Sequence, residues 1–181
     1  MNSKIIFAFI LAVNICTITT AQVYSYKVAV STAYREFDSH EGKLKLSVMS
    51  NDTNKITRED YLLTPNDVEL KRDSTYTAKI SSIAPLDHIT SVYLRWTLAT
   101  PNNTAYATKK PTIYVNPVKL KMFTLLPLPS FSPCEIHIFY PETFPIGITN
   151  EDEANFKFGH IETDWIYYYR TPNVSRIDAD C

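Results

Sequence analysis

The strongest constraint on the fold is an alternation of apolar and polar residues that recurs along most of the chain. In KLKLSVM, residues 43–49, polar residues separate Leu44, Leu46 and Val48. The same alternation runs through TYTAKI at residues 75–80 and ITSVYLRWTL at residues 89–98. A period of two places alternate side chains on opposite faces of a β-strand, whereas an amphipathic helix needs a period of about 3.6. The pattern therefore predicts strands that each have one apolar and one polar face.

Strands with one wet face pair most simply in antiparallel sheets, and their apolar faces must be buried against each other. We therefore predict an all-β fold, an antiparallel β-sandwich, with a β-barrel as the alternative. Asn116-Pro117 is predicted as a turn between two strands. In CEIHIFY, residues 134–140, Ile136 and Ile138 are predicted to oppose a polar face that carries His137. The helical signal is limited to a single capped turn at residues 57–60.

The first 21 residues have the layout of a secretory signal peptide. Lys4 precedes an apolar run at residues 5–16, and small residues end the segment at Ala21. A membrane anchor is the alternative, but the apolar run is shorter than the roughly twenty residues that span a bilayer. We expect a secreted, extracellular protein whose mature chain starts near Gln22. No later segment is apolar enough to span a membrane, so we expect no transmembrane segment in the mature chain.

Secretion bears on the cysteines and on three glycosylation signals. Cleavage would remove Cys16 and leave Cys134 and Cys181, which are predicted to form a disulfide in an oxidising compartment. Free thiols are the alternative. N-glycosylation is predicted at the three Asn-x-Ser/Thr sites, which are Asn51, Asn102 and Asn173.

The pattern changes after residue 140. Proline-rich residues 141–145 interrupt it, and strand-like stretches resume at residues 155–158 and 165–169. We predict three segments: a signal peptide (1–21), a β-sandwich (22–140) and a C-terminal β appendage (141–181) tied back by the disulfide. The appendage is too short to build a core of its own.

The order of strands and turns resembles a PLAT (LH2) domain. The features are an opening strand with Lys27-Val28, a strand at residues 42–49 followed by an Asn-rich turn at 51–54, and a later strand ending in Trp96. Over residues 24–123 the chain is most similar to the C-terminal domain of pancreatic-type triglyceride lipases. The resemblance implies an eight-stranded antiparallel β-sandwich that binds lipid surfaces or proteins and performs no chemistry. The tail has no counterpart, so the closing strand is either 134–140 or 165–169.

Composition and motifs argue against catalysis and against nucleic-acid binding. The net charge is −1, which does not provide the basic surface that nucleic acid requires. The chain has 3 glycines, and none forms a phosphate-binding loop or flanks a nucleophilic serine. The histidines lack metal-binding spacing. We therefore predict that the protein is not an enzyme; a diverged enzyme is the weakest alternative.

No cofactor is predicted, and Ca²⁺ is the one metal that the sequence makes worth considering. The oxygen ligands would be Asp38 and Glu41 in the first loop, or the acidic run at residues 151–153. Calcium takes six to eight oxygens, and neither group supplies that many. Solvated loops are therefore the preferred interpretation.

Apolar loop residues are the candidates for contact with a lipid surface or a partner. Aromatic rings and apolar side chains at loop tips gain free energy at an interface, and the candidates are Tyr34, Phe37, Leu125, Leu126, Phe131 and Phe144. The alternative is that they pack beneath the tail. We predict a secreted non-catalytic binding module that engages a lipid surface or a secreted or cell-surface protein. The alternative is a structural or effector glycoprotein whose generic β-sandwich binds a protein only.

Overall fold

A computed structural model describes residues 22–35, 40–101, 106, 110–122 and 133–165. These residues form ten strands and one short 3-10 helix, Leu86–His88, and no α-helix occurs among them. The strands are β1 (Tyr24–Thr32), β2 (His40–Asp52), β3 (Lys55–Leu62), β4 (Val68–Leu70), β5 (Thr75–Ser82), β6 (Ile89–Leu98), β7 (Thr112–Met122), β8 (Pro133–Pro141), β9 (Ile146–Thr149) and β10 (Glu153–Trp165). Within this described part, no helix has the length and apolar character needed to cross a membrane.

All strands belong to one antiparallel sheet that curls until it is nearly closed. Its order is β3-β2-β6-β10-β8-β7-β1-β5, with β4 on the edge of β2 and β9 on the edge of β7. The predicted all-β, antiparallel class is confirmed, in a form between a sandwich and a flattened barrel. The described part has ten strands, where the resemblance implied eight.

The apolar faces predicted from the alternation form the core. Leu44, Leu46 and Val48 of β2 are buried, and so are the alternate residues of β6 that include Trp96. The largest fully buried side chains come from most of the long strands: Trp96, Tyr26, Phe139, Phe156, Leu44, Leu46, Leu70, Leu94, Ile113, Leu120, Ile138 and Ile148. Burial of apolar area at about 25 cal/mol per Å² makes this core the main source of stability.

The predicted turn at Asn116-Pro117 is wrong, because both flanking runs belong to one strand, β7. The buried positions change parity along it, from Ile113 and Val115 to Val118 and Leu120. The pairing with β1 shifts register at this point, between Val30 and Thr32. A β-bulge inserts an extra residue, so the apolar side chains of both halves of β7 face the core. Proline has no N–H to donate and is tolerated at a bulge, where the hydrogen-bond ladder is interrupted.

Strand β8 faces the core with the side that was predicted to be polar. His137 is 3% exposed and lies opposite the core residue Leu120 of β7, with its ring 5.1 Å from that of Phe158. Ile136 and Ile138 lie on the other face with Cys134 and are buried there in a second, smaller cluster. Apolar residues alternate as predicted, but His137 and Phe139 on the opposite face are buried as well.

The single capped turn for which residues 57–60 carry a signal does not form, because these residues lie in β3. Thr57 pairs with Ser50 and Asp60 with Ser47 of β2. The two strands are joined at Thr53 and Asn54, which both have positive φ. A two-residue turn of this kind matches the twist of the flanking strands, so the hairpin overrides the local helical signal.

Strand β10 lies in the interior of the sheet. Residues 153–157 pair with β6, and residues 156–165 pair with β8. Ala154 and Phe156 are buried in the core. A register shift between Phe158 and His160 allows the strand to bend as it passes from one side of the fold to the other.

The two end strands, β3 and β5, are joined by side chains. Glu59 of β3 accepts hydrogen bonds from the Ser82 hydroxyl (2.6 Å) and the Ile83 backbone N–H (3.2 Å). The Tyr61 hydroxyl lies 2.8 Å from both a Glu59 oxygen and the Ser81 carbonyl. We call this contact, made by Glu59, Tyr61, Ser81, Ser82 and Ile83, the seam.

Candidate functional site

Three lysines lie side by side on the outer surface of β5, β1 and β7. Lys79 is opposite Lys27, and Lys27 is opposite Lys121. Ile80, Val28 and Leu120, which follow or precede them along the strands, are buried, so the period of two directs the lysines outward. Adjacent strands are about 4.8 Å apart, so the row is about 10 Å long.

Lys119 extends this row into a surface that we call the basic face, formed by Lys27, Lys79, Lys119 and Lys121. Strands β1, β5 and β7 contain no Asp or Glu at all. Glu162 of β10 forms an ion pair with the Lys119 ammonium at 3.2 Å. Like charges directly opposite each other on neighbouring strands are destabilising, and a negatively charged surface beside the row would relieve that repulsion.

Aromatic and arginine side chains continue the basic face beyond the end of β1. The Arg35 guanidinium stacks 4.5 Å from the ring centroid of Tyr114, and that of Arg72 lies 5.6 Å from the ring centroid of Tyr34. The bulge in β7 puts Tyr114 on the same side as Lys119. Cation–π contacts of this kind hold arginines over rings while their outer edges stay available for anions.

The loop residues predicted to contact a surface are placed in part. Tyr34 is 76% exposed and Phe144 is 63% exposed, and neither belongs to the core. Phe37, Leu125, Leu126 and Phe131 lie outside the described residues, so their roles stay predictions. The basic face was missed at the sequence level. The sequence feature that could have indicated the basic face is the absence of acidic residues from three strands whose lysines point outward.

A polar groove lies on the outer surface of the opposite side of the fold. It has a volume of about 360 Å³ and is lined by Lys45, Leu46, Ser47, Arg58, Asp60, Tyr61, Leu62, Arg95 and Glu153. Arg58 is its centre. Its guanidinium donates to Glu153 and to the Ser47 hydroxyl at 2.7 Å, and to Asp60 at 3.0 Å.

Electrostatics in the groove favour the charged forms of Asp60 and Arg58. The hydrogen bond from Ser47, and then that from Arg58, lowers the pKa of Asp60 below its ordinary value. The hydrogen bonds to Glu153 and Asp60 raise the pKa of Arg58 further. Arg95 is less well paired, since it reaches the Glu153 carboxylate only at 3.6 Å. The groove is therefore a preformed charged site.

The remaining predicted sites are described in part. Cys134 is 3% exposed; Cys181 lies outside the described residues, so their disulfide stays a prediction. Asn51 is exposed at the end of β2, which leaves room for a glycan. Asn102 and Asn173 lie outside the described residues, and glycosylation stays a prediction at all three sites.

The calcium candidates do not come together as a ligand set in the described structure. Glu41 is exposed on β2, whereas Glu151 and Asp152 lie in the turn before β10, and Glu153 pairs with Arg58. Asp38 lies outside the described residues. No group of three or more His, Cys, Asp or Glu side chains that could hold a metal occurs among the described residues.

Comparison with known proteins adds no assignment. No protein-family model matches the sequence, and no curated protein is similar enough to count as a relative.

Proposed function

We propose that this chain is a secreted, non-catalytic, PLAT-like binding module that docks on an anionic lipid surface through its basic face. The observation that carries the proposal is the row of Lys79, Lys27 and Lys121 in direct register on three neighbouring strands. The chain as a whole has a net charge of −1. The positive charge therefore arises from segregation of lysines onto one surface, which is the condition for oriented docking.

The shape of the basic face suits a bilayer better than a small anion. The lysines stand on a sheet rather than in a cavity, so their ammonium groups can reach several headgroups at once. Each Lys or Arg near an anionic leaflet contributes about 1 kcal/mol of attraction. Attraction of this size from several lysines gives reversible binding that depends on salt concentration.

Exposed aromatic residues near the basic face supply a second contribution. Tyr34 lies two residues beyond the end of β1, and the Arg72 guanidinium lies over its ring. Amphipathic rings at the headgroup level are favourable because the ring is apolar and the hydroxyl remains hydrated. Charge and ring together favour a lipid surface over a purely electrostatic partner.

Flotation with lipid vesicles tests the proposal. The mature protein is mixed with vesicles of phosphatidylcholine alone or with 30% phosphatidylserine, at low and high salt, and floated through a density gradient. We expect flotation with the anionic vesicles only, decreasing at high salt. The double variant Lys119→Gln/Lys121→Gln is expected to bind roughly 30-fold more weakly, from about 1 kcal/mol per lysine.

A matched control removes the same charge from the other side of the fold. Lys43→Gln/Lys55→Gln changes two lysines of β2 and β3, and this variant is expected to float like the parent. Equal losses in both double variants would show that only net charge matters and would overturn the docking face. Failure of the parent to float with any vesicle would exclude the lipid surface and leave the alternative of a protein-only partner.

A further inference from the structure

We infer that the polar groove around Arg58 is a second binding site, specific for a small polyhydroxylated carboxylate such as a uronic acid. The groove is separate from the basic face, since it lies on β2, β3, β6 and the start of β10. The inference does not depend on lipid docking.

Two cations in the groove are not fully neutralised by its carboxylates. Lys45 of β2 is directly opposite Arg95 of β6. Arg58 takes the best hydrogen bond to Glu153, at 2.7 Å, whereas Arg95 reaches the same oxygen only at 3.6 Å. Lys45 forms no ion pair with any described residue. Two adjacent like charges without a full partner make a favourable position for one carboxylate.

The charge of the lining limits the ligand to a single negative charge. Lys45, Arg58 and Arg95 carry three positive charges, and Asp60 and Glu153 carry two negative charges. The remaining charge of +1 is balanced by one carboxylate. A dianionic phosphate would meet repulsion from Asp60 and Glu153, so the groove discriminates against it.

The carboxylates of Asp60 and Glu153 also determine which other groups the ligand should carry. A carboxylate has about four acceptor positions. Asp60 uses one oxygen, Oδ1, for both Ser47 and Arg58, at 2.5 and 3.0 Å. Its other oxygen and the remaining positions of Glu153 can accept from hydroxyl groups. Acceptors beside a cation pair suit a ligand that carries hydroxyls next to its carboxylate.

The walls of the groove match the size and the faces of one sugar. Leu62 is 46% exposed at the rim, next to Lys45, and provides an apolar contact for the C–H face of a pyranose ring. The volume of about 360 Å³ lies at the small end of the range of ligand sites. A monosaccharide or a terminal sugar of a glycan fits such a site better than an extended polymer does.

Titration of the ¹⁵N-labelled mature protein with four probes at constant ionic strength tests the inference. The probes are glucuronate, glucose, acetate and inorganic phosphate. We expect saturable shifts of the backbone amides of Lys45, Ser47, Arg95 and Glu153 with glucuronate. Glucose lacks the charge and acetate lacks the hydroxyls, so each should bind at least about tenfold more weakly, the effect of losing a charged hydrogen bond. Phosphate should also bind more weakly.

Variants separate the groove from general charge and from the basic face. Arg95→Gln and Lys45→Gln should each weaken glucuronate binding by about tenfold or more. Lys43→Gln, on the same strand and face, should leave it unchanged. Lys119→Gln/Lys121→Gln should also leave it unchanged, so loss of lipid docking and loss of this site are distinguishable.

Three results would overturn the inference. Glucuronate binding no tighter than acetate would mean attraction of any anion. Shifts confined to β1, β5 and β7 would place the contact on the basic face. Unaltered binding by a folded Arg95→Gln variant would show that the cation pair does not hold the carboxylate.

Discussion

Removing the Glu59 side chain tests whether the seam closes the fold. Glu59→Ala deletes the acceptor for the Ser82 hydroxyl at 2.6 Å and the Ile83 N–H at 3.2 Å. Hydrogen bonds to charged groups contribute about 1.5–3 kcal/mol when buried. Because Glu59 is only half-buried, we take about 1 kcal/mol for each bond, so the free energy of unfolding should fall by about 2 kcal/mol. For a chain of this size the melting temperature should drop by roughly 4–8 °C.

A graded variant and a control make this prediction specific. Glu59→Gln keeps one carbonyl oxygen and should lose about half as much stability. Glu69→Ala removes an exposed carboxylate of β4, which pairs with Lys71 at 3.3 Å, and should cost no more than about 0.5 kcal/mol.

Urea unfolding followed by tryptophan fluorescence measures these differences, because Trp96 is fully buried in the folded state. The slope of free energy against urea should stay the same if the variants affect only the folded state. If Glu59→Ala and Glu69→Ala unfold at the same urea concentration, the seam contributes nothing and core packing alone holds β3 and β5 together.

Four further predictions concern individual side chains and one disulfide. Gly42→Ala would place a Cβ 2.4 Å from the Thr97 carbonyl oxygen, so urea unfolding should show a loss of about 1–3 kcal/mol; an unchanged midpoint would contradict it. Burial lowers the pKa of His137, so folded protein binds fewer protons than unfolded protein and stability should fall as pH drops below about 6.5. Unfolding from pH 8 to 5 measures this, and His137→Leu should reduce the slope. Phe144→Asp should weaken vesicle flotation without changing unfolding; normal flotation would contradict the prediction that Phe144 contacts the lipid surface. Mass spectrometry of the native protein should find Cys134 and Cys181 linked, and two alkylatable thiols would refute the bridge.

Much of the fold was predictable because the alternation acts locally. The buried faces of β2 and β6 follow directly from residues 43–49 and 89–98, since a half-buried strand must keep its apolar residues at every second position. The predictions fail where contact with a neighbouring strand changes the structure that the local pattern favours. A bulge carries β7 through Pro117, and a hairpin partner turns residues 57–60 into strand instead of helix.

The candidate sites were less predictable than the fold. Tyr34 and Phe144 could be predicted as exposed apolar residues because loop position and side-chain type can both be read from the sequence. The basic face could not be chosen in this way. Lys27, Lys79 and Lys121 are far apart in the chain, and each resembles an ordinary solvated lysine until the registers of β1, β5 and β7 are known.

By itself, the sequence determined the all-β class and which face of most strands is apolar, because both depend on neighbours within a few residues. Only the tertiary structure decided the strand order, the place of β10 between β6 and β8, and the juxtaposition of Arg58 with Glu153, which lie 95 residues apart. The reason is that hydrogen-bond registers between strands depend on how all the apolar faces pack together, and a short-range pattern is compatible with many such arrangements.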